Sequence, residues 1–371
     1  MAKIINPFIV TGKIAPEYFC DRVSESARLV KSVTNGNNLV VISPRRMGKT
    51  GLIQFCYDKP EIGKEYYTFF IDILHTSSLR EFTYLLGREI YETLLPRSRK
   101  MATLFIQTIK SISGKFGFDP ISNLPTFNVE LGDIERPEYT LDEIFQYLSH
   151  ADKPCIVAID EFQQIAKYPE KNIEALLRTH IQRSENSHFI FAGSERHMMQ
   201  EMFTSSKRPF YQSTQLLTIG PIDREAYACF AAAHFAEHGV QLPREVFDAI
   251  YDKFDGHTWY IQCLLNRLYG YNRDVDTELV AYATEQIVSE QSYSYADLLK
   301  AYSAGHVRLL KAIAREGRVK EVLAGDFISR HRLRAASSVS ASLKKLLDNE
   351  LVYQTPCGYI IYDRFMSEWL R

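Results

Sequence analysis

Five short apolar runs constrain the fold of this chain more than any other feature. They are LVVIS (39–43), YYTFFIDI (66–73), CIVAID (155–160), FIFAG (189–193) and LLTIG (216–220). Each is apolar at successive rather than alternate positions, the pattern of a strand covered on both faces. Between them lie stretches with helical spacing at 49–58, 78–95, 141–150 and 170–185. The second of these carries Leu79, Phe82, Leu85, Leu86 and Ile90 on one face. Strand and helix in alternation predict an α/β unit, a parallel sheet with helices on both sides. Gly, Pro and Asn interrupt the rhythm over 113–139, which reads as a loop or small hairpin inserted before the third strand.

After Pro221 the strands stop. Residues 223–238, 243–254, 258–269 and 277–290 read as helices, with Pro243 placed in the first turn of its helix. From about 303 a third pattern follows: helices over 303–316, 323–331 and 337–349, then LVYQ–TPCG–YIIY, a hairpin around a Pro/Gly turn. That order is the order of a winged helix-turn-helix. A chain of 371 residues exceeds one compact domain, and the expected division is 1–220, 221–302 and 303–371. Charge supports it. Residues 303–371 hold 12 Lys/Arg against 7 Asp/Glu, whereas the other 302 hold 32 against 38. A basic module therefore follows an acidic body, and a uniformly basic nucleic-acid coat is excluded. No apolar run reaches the ~18–20 residues a membrane span needs. The six cysteines show no CxxC spacing and the ten histidines no metal spacing, so a reduced, cytoplasmic setting is expected.

Chemistry concentrates first in Ser43-Pro44-Arg45-Arg46-Met47-Gly48-Lys49-Thr50. It matches the phosphate-binding pattern G-x-x-x-x-G-K-[ST] except that Ser43 replaces the first glycine. A bare G-K-[ST] would occur by chance in roughly one chain in five of this length. Its position between a buried strand and a helix is what carries weight. There backbone N–H groups can curl around phosphate at a helix N-terminus. Gly48 allows close approach, Lys49 reaches the β and γ phosphates, and Thr50 offers a hydroxyl to Mg²⁺. The second element is Asp160-Glu161 at the end of CIVAID, about 110 residues after the loop. An apolar strand ending in acids is often only a helix cap. Following a phosphate loop, Asp160 suits a Mg²⁺-water ligand and Glu161 a base that polarises an attacking water.

The combination of Tyr18-Phe19-Cys20-Asp21-Arg22, PRRMGKT, AIDEFQQI and FIFAGSERHMM resembles the archaeal-type AAA ATPases. These are P-loop proteins of the additional-strand class, near the STAND and origin-recognition ATPases. The resemblance spans most of the chain. It implies a three-layer parallel sheet of order 5-1-4-3-2, a helical lid over 221–302 and a C-terminal winged helix. It implies ATP or ADP with Mg²⁺ as ligands, held by the loop from Pro44 to Gly51. It casts Ser194 as the polar residue that senses the γ-phosphate, and Phe19, Asp21 and Arg22 as the base-side motif. Two features depart from the family. Pro209-Phe210-Tyr211 is followed by Gln212, so an arginine finger is missing there and only Arg208 lies near. Gly256-His257-Thr258 has threonine where proline is usual, and Thr258 is a candidate N-cap.

The stretch 330–347 holds Arg330, His331, Arg332, Arg334, Lys344 and Lys345 without an acid. Such a face suits phosphate contacts on double-stranded DNA, or docking on a protein partner. The small residues 335–342 offer little base-reading chemistry, so sequence specificity is not expected. The function expected from all this is an ATP-binding, slowly hydrolysing switch whose nucleotide state repositions the winged helix. The alternatives are a DNA-binding regulator that uses nucleotide only as a conformational ligand, and a small-molecule kinase. Against the kinase stands the acid pair Asp160-Glu161, which favours water as acceptor.

Overall fold

The computed structural model describes residues 6–118 and 125–371. The described strands are β1 (Leu39–Ile42), β2 (Tyr67–Asp72), β3 (Phe116–Phe118), β4 (Pro125–Phe127), β5 (Cys155–Asp160), β6 (Ser187–Gly193), β7 (Gln215–Thr218), β8 (Val352–Thr355) and β9 (Gly358–Ile361). By packing, residues 11–222 form one unit; 223–371, with the N-terminal segment through Val10, form the other.

The first unit is built on a five-stranded sheet of order β2-β5-β6-β1-β7, all of it parallel. Counted along the chain and read from the opposite edge, this is the 5-1-4-3-2 order that the resemblance implied. Successive side chains alternate between two cores, as the pleat requires. Val40, Ile42, Val157, Ile159, Phe189 and Phe191 enter one, with Leu86 and Ile90 from the helix Leu79–Arg97 and Leu141 from Pro137–Ser149. Leu39, Val41, Ile156, Ala158, Ile190 and Ala192 enter the other, with Leu29 from Val23–Thr34 and Leu52 and Ile53 from Lys49–Tyr57. The three-layer α/β architecture is therefore as expected.

Two details differ from the sequence reading. The run LLTIG is not a fully buried strand, because Leu216 is 40% exposed while Leu217 and Ile219 are buried. β7 pairs only with β1, and an edge strand covered on one face alternates. Second, a helix Arg99–Thr108 follows Leu79–Arg97 directly and buries Met101, Ala102 and Phe105. Pro96 reads as a stop, yet it sits in the last turn; Ser98 then caps the next helix by accepting the Met101 N–H at 3.3 Å. The insert over 113–139 contains a small hairpin, one of the two forms expected for it, with β3 antiparallel to β4. Its connection, 119–124, lies outside the described residues.

In the second unit the helices Arg224–Glu237, Arg244–Lys253, Thr258–Gly270 and Thr277–Leu299 precede Ala304–Glu316, Gly325–Arg330 and Ala336–Asp348, then β8 and β9. Pro243 is the N-cap of its helix rather than part of the first turn. Val319 forms an isolated antiparallel bridge with Tyr359 of the hairpin. Gly358 is required there. Its φ is +129°, and a Cβ would lie 2.5 Å from the Val319 carbonyl oxygen. The expected helix over 277–290 continues to Leu299, where Tyr295 and Leu299 are buried. A final helix, Arg364–Leu370, was not anticipated; Asp363 caps it, and Phe365 packs on Phe254, Trp259 and Tyr260. Asp255 accepts from Arg318 at 2.8 Å and from Arg364 at 2.6 Å. Winged helix and helical segment thus share one core. Phe8 enters it too, against Phe230, Phe235 and Tyr269.

Candidate functional site

The carboxyl ends of β1, β5 and β6 open at the same edge of the parallel sheet, where ligands of such sheets bind. After β1 comes Ser43, fully buried, its N–H donating to the Gly193 carbonyl at 3.4 Å. Arg46 and Gly48 are both left-handed, with φ of 62° and 89°. Gly48 is the N-cap of Lys49–Tyr57, and no side chain caps that helix. A Cβ on Gly48 would meet nothing within 4 Å, so the glycine answers to backbone conformation and not to crowding. Uncapped N–H groups and the positive end of the helix dipole make this turn an anion site.

Lys49, only 7% exposed, reaches across to β5. Its Nζ lies 2.8 Å from Asp160 Oδ1 and 3.1 Å from Glu161 Oε1. Thr50 Oγ1 donates to Asp160 Oδ2 at 2.6 Å. Glu161 takes a left-handed backbone, φ 56°, which turns its carboxylate inward. There Oε2 accepts from Ser194 Oγ and from Gln163 Nε2, each at 2.6 Å. Arg45 Nε donates to the same Ser194 hydroxyl at 3.4 Å. Electrostatics follow from this geometry. Burial disfavours the Lys49 ammonium, but Asp160 and Glu161 outweigh it and raise the pKa above the ordinary lysine value. Burial likewise pushes Glu161 up, and Lys49, Ser194 and Gln163 overcome it, holding the carboxyl below its usual range. Both groups stay charged at neutral pH.

Among the described residues no cluster of three or more His, Cys, Asp or Glu could hold a metal by itself. The hydroxyl of Thr50 and the carboxylate of Asp160, converging at 2.6 Å, nevertheless form a hard oxygen pair. That suits Mg²⁺, which keeps waters and takes other oxygens from substrate phosphates. The donor set therefore fits Mg²⁺-nucleotide.

Beside the loop, Phe19 stacks on Phe55 with centroids 4.0 Å apart and planes 6° from parallel. A Cβ on Gly51 would touch Ile14 at 3.4 Å and Phe19 at 4.0 Å, so this segment packs on the first turn of the loop helix. Asp21 and Arg22 are both left-handed. The turn buries the Arg22 guanidinium, which donates to Met47 O at 3.2 Å, Glu25 at 2.9 Å and Pro221 O at 3.4 Å. Arg22 ties the phosphate loop to the end of the sheet. Arg208 is engaged elsewhere, ion-paired to Glu174 and Glu201.

In the second unit, Arg330 and His331 both bind Glu316 Oε1, at 2.6 and 2.7 Å. Arg332, Arg334, Lys344 and Lys345 are exposed. The helix Ala336–Asp348 buries Val339, Leu343 and Leu346 and leaves its lysines outward. A cleft of about 30 Å³ brings Arg308 beside Arg334, Ser338 and Ser342. Thr258 is not an N-cap. His257 holds that position, and the Thr258 hydroxyl is buried without a partner.

The model of the family described as an ATPase domain predominantly from Archaea matches residues 19–264. The chain belongs to this ATPase family. A probable winged helix domain matches residues 293–371. Among solved structures, the Walker-type ATPase PABY2304 of Pyrococcus abyssi is 19% identical, with a TM-score of 0.64 over 98% of this chain and 99% of that one. The ORC2 protein of Aeropyrum pernix, in ADPNP and ADP complexes, is 17% identical with a TM-score of 0.62, covering 98% and 95%. The ORC1 protein of the same organism, in complex with DNA, is 13% identical with a TM-score of 0.52, covering 98% and 95%. No curated protein matches the chain. Similarity at this level establishes the fold of the ATPase.

Of the residues anticipated, Arg45, Lys49, Thr50, Asp160, Glu161 and Ser194 come together in one hydrogen-bonded cluster. Phe19, Arg22 and Gly51 adjoin the loop. Two residues of the cluster escaped sequence reading, Gln163 and Gly193. Gln163 lies two positions beyond Glu161 in the turn of 3₁₀ helix Phe162–Lys167, a spacing that returns its amide to the carboxylate.

Proposed function

We propose that this ATPase binds Mg²⁺-ATP at the Ser43–Thr50 loop and hydrolyses it slowly, as a switch whose nucleotide state repositions the winged helix. The observation that carries the reading is the convergence of Lys49, Thr50, Asp160, Glu161 and Ser194, drawn from the ends of three strands, within hydrogen-bond distance. Lys49 offers its ammonium to the β and γ phosphates. Pro44, Arg45, Arg46, Met47 and Gly48 shape the backbone cradle, and Gly51 continues the helix that backs it. Thr50 and Asp160 would hold Mg²⁺, Asp160 through water; when bound, Mg²⁺ neutralises phosphate charge. Glu161 takes a proton from the attacking water, and Ser194 reads the γ-phosphate. Phe19, Asp21 and Arg22 form the base side, with Arg22 bracing Met47. An ADPNP and ADP complex of a similarly folded protein supports nucleotide as the ligand. The scatter of the cysteines supports a cytoplasmic setting for this ATPase.

A second reading, regulation at double-stranded DNA, is favoured by the exposed Arg332, Arg334, Lys344 and Lys345 and by the DNA complex of the similarly folded ORC1. The same cations would serve a protein partner with an acidic face.

Thermal shift of the full chain with ATP, ADP and GTP, with and without Mg²⁺, tests the first reading. ATP with Mg²⁺ should raise Tm, and Lys49→Ala should abolish the rise. An undiminished rise in that variant would remove the phosphate-loop assignment.

A further inference from the structure

Among the described residues the Glu161 carboxylate has three hydrogen-bond partners, and they divide unevenly between its two oxygens. Oε2 accepts from both Ser194 and Gln163, whereas Oε1 accepts only from Lys49. With two donors at 2.6 Å, the in-plane capacity of Oε2 is filled. Oε1 retains a lone pair.

Gln163 is itself tightly confined. It is 1% exposed, and its Oε1 is buried without a hydrogen-bond partner. Leaving a buried amide oxygen unpaired is costly. Gly193 packs against this amide: a Cβ there would sit 2.5 Å from Gln163 Oε1 and 2.5 Å from Met199 Cγ and Sδ. Turned over, the amide would face the carboxylate with its own oxygen, whereas as placed its Nε2 donates to Glu161.

We propose that Gln163, seated on Gly193, is a positioning residue that fixes the Glu161 carboxylate so that Oε1 faces the attacking water. This rests on the hydrolytic reading above. In the step it serves, the water oxygen bonds to the γ-phosphorus, a water proton passes to Glu161 Oε1, and the bond to the bridging oxygen breaks to release ADP. Gln163 touches neither water nor nucleotide. Its effect is on geometry, where a small misplacement costs rate rather than binding.

The experiment compares the full-length parent with Gln163→Met, Gln163→Asn, Ser194→Ala, Gln163→Met/Ser194→Ala and Glu161→Gln. For each, kcat, KM for Mg²⁺-ATP and Tm are measured. Gln163→Met keeps side-chain length without the donor, and Gln163→Asn keeps the amide but withdraws it by one methylene. Both should lower kcat about 10- to 100-fold with KM within about 3-fold of the parent. The double variant should fall to the level of Glu161→Gln, because Oε2 then has lost both anchors. Parent kcat in Gln163→Met and Gln163→Asn would overturn the proposal, as would a raised kcat or a loss confined to KM and Tm. A Glu161→Gln variant that hydrolyses at the parent rate would instead remove the hydrolytic reading itself.

Discussion

Lys49 and Lys344 carry the same ammonium group in opposite surroundings. Lys49 is 7% exposed and stands 2.8 and 3.1 Å from two carboxylates, while Lys344 is exposed on the outer side of a helix. In the loop cluster Lys49, Asp160 and Glu161 are largely desolvated and each is answered by a named atom, so removing one strands the others in low dielectric. On the winged helix Arg332, Arg334, Lys344 and Lys345 are hydrated, each worth little alone and weakened by salt. The first arrangement can direct a single proton. The second can only track a field of negative charge. The difference separates a buried, fully partnered cluster from a hydrated basic face within one chain.

The sharpest way to break that contrast is at Glu161. Glu161→Gln should preserve ATP affinity and lower turnover on the order of 10²-fold or more, as removal of a positioned base does. Asp160→Asn should instead weaken Mg²⁺-dependent binding, since Asp160 accepts from Lys49 and Thr50. ATP affinity and single-turnover hydrolysis, measured on both variants, distinguish the roles. Equal losses in both quantities for both residues would mean that the cluster acts as one electrostatic body rather than as two functions.

A second test bears on the exposed face. Neutralising Arg332, Arg334, Lys344 and Lys345 together removes up to four phosphate contacts if the face binds a duplex. The slope of log K against log salt should then flatten by about 0.9 per contact, alike for unrelated sequences. DNA affinity at two salt concentrations measures this. Absence of DNA binding in parent and variant alike would direct the face toward a protein partner.

These two regions were unequally legible in the sequence. The parallel sheet and Lys49, Thr50, Asp160 and Glu161 could be anticipated because each rests on a local pattern tied to a strand end, whereas the strand order and Ser194 came only with the family resemblance. Gln163 and Gly193 could not be anticipated, since the Gln163 bond depends on the 3₁₀ turn after Glu161, and the need for glycine at 193 on packing against a segment thirty residues earlier in the chain. The edge character of β7 was hidden for a similar reason: LLTIG is apolar enough for a central strand, and only pairing shows that one face lacks cover. Arg330 looked equivalent to Arg334 until Glu316, fourteen residues upstream, was seen to bind it. The helix Arg99–Thr108 was obscured by Pro96, whose usual meaning as a stop is set aside in a last helical turn.

Asp255 lies between the two extremes, 43% exposed and gripping both Arg318 and Arg364. Hydrogen bonds to charged groups contribute about 1.5–3 kcal/mol when well formed, and partial exposure reduces this. Asp255→Ala should therefore destabilise the second unit by about 1–2 kcal/mol. Denaturant unfolding read at Trp259 and Trp369 measures it. A loss below about 0.5 kcal/mol would class the clasp with the surface charges.

The smallest expected effect is the most discriminating for the winged helix. Arg330 and Arg334 are four residues apart, yet Glu316 accepts from Arg330 at 2.6 Å and His331 adds a contact at 2.7 Å to the same oxygen. The neighbours hold the Glu316 carboxyl below its usual range, chiefly through the His331 hydrogen bond and then the Arg330 charge, so it remains ionised. Arg330 therefore brings to a phosphate a charge that Glu316 already answers. If DNA is bound, Arg334→Ala should flatten the salt slope by about 0.9, whereas Arg330→Ala should leave it nearly unchanged. Glu316→Ala supplies the converse. It releases Arg330, and the slope should steepen by up to about 0.9 with affinity raised at low salt. Equal flattening by Arg330→Ala and Arg334→Ala would mean that phosphate displaces Glu316 on binding, and the carboxylate would then be a competitor for the DNA backbone rather than a fixed partner.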